Sequence, residues 1–120
     1  MEQTEYGGHP GQTIRTWSAI AQPAERGCMR VVCTVSAAQE MTRLGVSCIR
    51  IRNRYGADVE TIWNTDACRG GMTGHNCARH TASELIRLPA GEYAAVVTFY
   101  AKSGQGSDSV TCRTEPVKIE

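Results

Sequence analysis

The residues best equipped for chemistry lie between 68 and 80, in the run Cys68-Arg-Gly-Gly-Met72-Thr-Gly-His75-Asn-Cys77-Ala-Arg-His80. Two thiols and two imidazoles are the ligand set of a tetrahedral zinc site. The spacing speaks against one. Eight residues separate the cysteines and four separate the histidines, interleaved in an order that matches no specific zinc arrangement. In an oxidising compartment the two thiols would bond to each other instead. A nucleophilic Cys77 assisted by His75 or His80 would need a free thiol and would leave an odd cysteine. No Gly-x-Ser-x-Gly elbow offers a serine nucleophile. Asp58 and Glu60 fall beside a turn, where carboxylates are ordinarily solvated. The expectation is a protein that is not an enzyme and that uses no cofactor and no metal.

Recognition is the remaining chemistry, and three features offer it. Arg50, Arg52 and Arg54 alternate along a strand-like segment, so period-2 geometry sets three guanidiniums about 7 Å apart on one face. Guanidinium forks suit carboxylates and phosphates, and arginine is enriched at interfaces. The bland reading is a solvated face paired with Glu60 or other neighbours across a hairpin. The second feature is an N-terminal arm, residues 1–12, rich in glycine and polar groups, with Tyr6 and His9 as its side chains for a partner. The third is the glycine-rich segment after Cys68. If a disulfide braces it, Arg69, Met72 or His75 can be presented to a target such as a protease pocket.

The six cysteines, at 28, 33, 48, 68, 77 and 112, set the compartment. An even, dense set in 120 residues reads as disulfides in an exported protein. Cys68–Cys77 would close a ring within the glycine-rich segment. Cys28 and Cys33 are too far apart along an extended strand to bond to each other. Each then seeks a partner among Cys48 and Cys112, in either pairing. The first residues, Met1 to His9, have no apolar core of a signal peptide, so an exported chain would have lost its leader. The chain has no Asn-x-Ser/Thr sequon, and eleven arginines outnumber two lysines, a bias of GC-rich bacterial genomes. Net charge is +1, without a basic excess or interleaved aromatics, which excludes nucleic acid as a partner. No apolar run approaches the roughly 20 residues of a membrane-spanning helix. The partner expected is another secreted or cell-surface protein.

The elements that must position these residues are short strands. Residues 13–20, 30–36, 46–55, 59–63, 83–88, 92–101, 109–114 and 117–119 carry β-branched or alternating patterns, bounded by Pro and Gly. Residues 37–43 suit one helical turn or a crossover loop, and 64–81, with almost no aliphatic residues, reads as a long loop. The domain expected over 13–120 is all-β, an antiparallel β-sandwich of about seven strands, stapled by disulfides.

Leu88-Pro-Ala-Gly-Glu-Tyr93-Ala-Ala-Val-Val resembles the corner before the sixth strand of immunoglobulin-like domains. The resemblance implies that the Tyr93 hydroxyl bonds back to the backbone, and that Cys33 occupies the second-strand cysteine position. The chain departs from that pattern at Ala95, where the partner cysteine would stand, and at Trp63, which comes late for the core tryptophan. In size and cysteine use the chain also resembles the small adaptor of actinobacterial umbrella-shaped toxin particles. That family implies a bridge between a lectin subunit and a toxin stalk. Two functions follow as expectations: a non-catalytic adaptor linking components of a secreted antibacterial toxin complex, or a small secreted inhibitor or toxin acting through the Cys68–Cys77 segment.

Overall fold

A computed structural model describes residues 14–25, 27–63, 72–104 and 106–120. It contains seven strands: β1 (Ile14–Pro23), β2 (Cys28–Asn53), β3 (Asp58–Trp63), β4 (Thr73–Arg87), β5 (Gly91–Ser103), β6 (Gly106–Arg113) and β7 (Val117–Ile119). All pairings are antiparallel and belong to one sheet. The sheet curls over its apolar side. No helix occurs among the described residues.

β2 is the spine. Along one edge it pairs first with β4 and then with β3, and along the other first with β1 and then with β5. It runs unbroken through residues 37–43, where the sequence suggests a helical turn or a loop. The reason is a wide irregularity. Between the Ser36–Arg79 and Met41–Cys77 pairs, four residues of β2 face the single residue Ala78 of β4. The extra residues let the strand bend while Met41 and Leu44 return to the core.

The core is built by period-2 alternation. Ala95, Val97, Phe99 and Ala101 of β5 point inward with Val31, Cys33 and Val35, and with Ile49 and Ile51 of β2, and all are buried. Gly45 lies where β2 and the start of β4 touch. A Cβ there would clash with the Met72 carbonyl oxygen and lie 2.7 Å from the Thr73 Cα. That close approach allows the Val46 N–H to donate to the Met72 carbonyl at 2.8 Å.

Two side chains fasten the strands near the chain's end. The Tyr93 hydroxyl donates to the Pro89 carbonyl at 2.9 Å, which is the back-bond of a tyrosine corner. Thr114 is buried, and its hydroxyl accepts the Ala95 N–H at 3.0 Å and donates to the Glu115 carbonyl at 3.1 Å. A backbone bond from Thr114 N–H to the Ala95 carbonyl, at 2.9 Å, completes the clamp.

Candidate functional site

The outward face of β3, β2, β5 and β6 gathers the residues fit for recognition, and strand register defines it. Residues directly opposite on paired strands share a face. One row therefore runs Thr61, Arg50, Val96, Arg113, and the next runs Trp63, Cys48, Thr98, Thr111. A third joins Asp58, Arg52 and Ala94. Arg50 and Arg52 are thus on one face as their spacing requires. Arg54 is not the third member of a strand stripe, because β2 ends at Asn53 and Arg54 lies in the following turn. Its place on that face is taken by Arg113, which no spacing within one segment reveals.

The β2–β3 hairpin is what aims the arginines. The Asn53 side-chain oxygen accepts the Tyr55 and Ala57 N–H groups at 2.9 and 3.1 Å, an Asx turn written by a single residue. Gly56 supplies the left-handed conformation, φ 86°, that closes the loop. The return strand then brings Asp58 opposite Arg52. Asp58 accepts the Arg52 Nε–H at 2.9 Å and lies 3.8 Å from the Arg50 guanidinium. The cross-hairpin partner of the arginines is therefore Asp58. Arg54 stacks over the Tyr55 ring, 5.5 Å from its centroid. Among the described residues no carboxylate lies within ion-pair distance of Arg54.

Apolar groups stand beside this charge. Tyr55 is 82% exposed, Trp63 52% and Val59 45%. All three belong to the hairpin or to β3, and among the described residues β3 pairs with β2 alone. Val96 and Ala94 also face outward, yet they are only 5% and 9% exposed. Their cross-strand neighbours are Arg50, Arg113 and Arg52, whose methylene stems suit such cover. Cys48 is buried in the row of Trp63. Its thiol is pushed up mainly by that burial, while Arg50 pulls it down and Asp58 pushes it up.

The residues expected in a presented loop go elsewhere. Met72 is fully buried and packs in the core, so it cannot enter a partner's pocket. From Thr73 the chain is strand β4, and His75 is an exposed strand residue opposite Arg43. β4 is polar because it is an edge strand whose ladder needs backbone groups more than apolar side chains. Cys77 and His80 both pack against Gly74. A Cβ on Gly74 would lie 2.9 Å from the Cys77 Sγ and 2.7 Å from the His80 Nδ1. No group of three or more metal-ligating side chains forms among the described residues. Arg69 and Cys68 lie outside the described residues, as do Tyr6 and His9 of the N-terminal arm.

The five described cysteines, Cys28, Cys33, Cys48, Cys77 and Cys112, carry free thiols, and no disulfide joins them. The expected partner of Cys77, Cys68, is outside the described residues. In this structure Cys112 is bonded to none of Cys28, Cys33 and Cys48. Among the described residues no Cα of β2 comes within 8 Å of a Cα of β6, whereas a disulfide holds them at about 4.4–6.8 Å. Cys33 and Cys112 nonetheless face the same core. The Cys33 thiol is pushed up first by burial and then by the neighbouring Cys112 and Glu84.

No family model, curated protein or solved structure matches the chain.

Proposed function

We propose that this chain is a non-catalytic protein-binding module that acts outside the cell as an adaptor, holding another secreted or cell-surface protein. The observation that carries the reading is the composition of the β3 hairpin face. Exposed Trp63, Tyr55 and Val59 border Arg50, Arg52 and Arg54 on a strand whose outer edge pairs with nothing among the described residues. Trp, Tyr and Arg are the side chains that dominate interface hot spots. An unpaired edge can also accept an extended segment by strand addition. Export rests on the cysteine content, and the immunoglobulin-like sandwich on the tyrosine corner. On the resemblance in size and cysteine use, the partners would be components of a secreted antibacterial toxin complex. The alternative, an inhibitor acting through the segment after Cys68, loses Met72 to the core.

Affinity capture from culture supernatant tests the proposal. The parent chain should recover one partner at a fixed stoichiometry, and Trp63→Asp or Arg50→Glu should abolish recovery. Undiminished recovery by both variants would remove this face from the function. Intact mass under non-reducing conditions tests export: a chain matured outside the cell should lack pairs of thiol hydrogens.

A further inference from the structure

A cleft opens at the corner where the β2–β3 turn, the start of β5 and the end of β6 meet. Its volume is about 180 Å³, and Arg52, Arg54 and Arg113 line it together with Glu92, Tyr93 and Pro116. We infer that this cleft is an anion subsite that takes one glutamate side chain from an acidic segment of a protein partner. The inference rests on the protein-binding reading and gives that partner a chemistry.

Size narrows the occupant first. Pockets for cofactors and drug-sized molecules run about 300–1,000 Å³. This cleft holds a single side chain and no more. Charge narrows it next. Arg52 and Arg54, from the end of β2 and its turn, and Arg113, from β6, line the cleft, and one carboxylate, Glu92, lines it with them. Asp58 engages the Arg52 Nε–H from the hairpin side, which leaves the rest of that guanidinium's donor set to a ligand. Arg54 has only the Tyr55 ring as a partner among the described residues. The lining chooses between anions. Tyr93 and Ala94 are nearly buried, and with Pro116 they give the cleft an apolar part. A bare oxyanion gains nothing from it, whereas the two methylenes of a glutamate lie against it while the carboxylate reaches the arginines. The exposed Tyr55 ring adjoins the same turn and offers the flanking residues of the segment an aromatic contact.

The probe is a blocked tetraglutamate peptide, titrated into the full isotopically labelled chain and followed by amide NMR. Shifts should cluster at Asn53–Gly56, Glu92–Ala94 and Arg113, and should weaken with added salt. Arg54→Ala and Arg113→Ala should each raise the dissociation constant about twofold to fivefold. Arg87→Ala, which removes an exposed arginine outside the cleft, should leave it unchanged. Shifts scattered over all surface arginines would overturn the inference. So would inorganic phosphate binding the same residues as tightly as the peptide, since the site would then serve a free oxyanion. Failure here is separable from failure of the adaptor reading. If the peptide ignores the cleft while Trp63→Asp still abolishes partner capture, the cleft alone is refuted. If the peptide binds as expected while capture survives Trp63→Asp and Arg50→Glu, the β3 face is refuted and the cleft stands.

Discussion

Replacing Gly45 by alanine probes the contact that turns the expected loop residue Met72 into a core residue. Two effects oppose each other. Glycine inside a strand costs roughly 0.5–1 kcal/mol relative to alanine through chain entropy, so an unhindered Gly45→Ala would stabilise. Gly45 has no left-handed φ to protect, so strain in the dihedral does not enter. The added Cβ, however, would clash with the Met72 carbonyl oxygen and sit 2.7 Å from the Thr73 Cα. These are backbone atoms, and they can move only if the start of β4 moves. Overpacking of this kind costs about 1–3 kcal/mol. Displacing the Met72 carbonyl also weakens the 2.8 Å bond from Val46 N–H, worth about 0.5–1.5 kcal/mol. The steric terms win, and the net loss is about 1–3 kcal/mol. At this chain length that lowers the melting temperature by roughly 4–12 °C. Urea and thermal unfolding followed by circular dichroism measure it, with Gly104→Ala as the control. Nothing lies within 4 Å of a Cβ at Gly104, so the control should stay within about 0.5 kcal/mol of the parent. A Gly45→Ala protein as stable as the parent would refute the close packing of β2 on Met72.

Thr114→Val keeps the shape but strands the buried Ala95 N–H, and should cost about 1–3 kcal/mol in urea unfolding. Tyr93→Phe removes the hydroxyl from Pro89 and should cost about 0.5–1.5 kcal/mol, with the same denaturant slope as the parent. Burial pushes the Cys33 thiol above its ordinary value of 9.0, so the folded state holds that proton longer than the unfolded chain does. Its contribution is full below pH 9.0 and is lost as pH rises beyond it. Stability of the reduced protein compared at about pH 8 and about pH 10.5 should therefore fall more steeply for the parent than for Cys33→Ala. Arg50→Met should stay within about 0.5 kcal/mol of the parent, because the stem beside Val96 is retained, whereas Arg50→Ala should be the less stable of the two.

The elements legible in the sequence are those with one buried face. β5 announces itself through Tyr93, Ala95, Val97 and Phe99, and the β2–β3 hairpin through Tyr55-Gly56 between alternating runs. The beginning of β4 could not be read this way. Thr73 to Thr81 forms a ladder with β2 while burying no side chain of its own, so hydrophobic alternation has nothing to register. The passage of β2 through residues 37–43 was hidden for a related reason, since the irregularity that bends it leaves Gln39 and Glu40 exposed between buried segments. At the recognition face, Arg50 and Arg52 could be placed from spacing alone. Arg113 could not, because its place beside Arg50 depends on both strands pairing with Val96 in register. Met72 misled for want of a local signal: its backbone packs against Gly45, far away in sequence.

The arginines of this face therefore carry two loads that a charge reversal would confuse. Arg50 borders an outward-facing Val96 that is only 5% exposed, and it also presents a guanidinium within 3.8 Å of Asp58. A glutamate there shortens the stem, uncovers Val96 and places a carboxylate near another, so lost partner capture has three causes. Methionine keeps the unbranched stem and removes only the charge. Capture lost in both Arg50→Glu and Arg50→Met points to charge recognition; capture lost in Arg50→Glu alone points to the surface beneath. Arg54 is free of this ambiguity, since it stands in the turn over Tyr55. The hairpin thus joins two fixed arginines, held by Asp58, to a third that can adjust to a ligand. Binding then costs ordering entropy mainly at Arg54, which makes that residue the most direct reporter of what the cleft recognises.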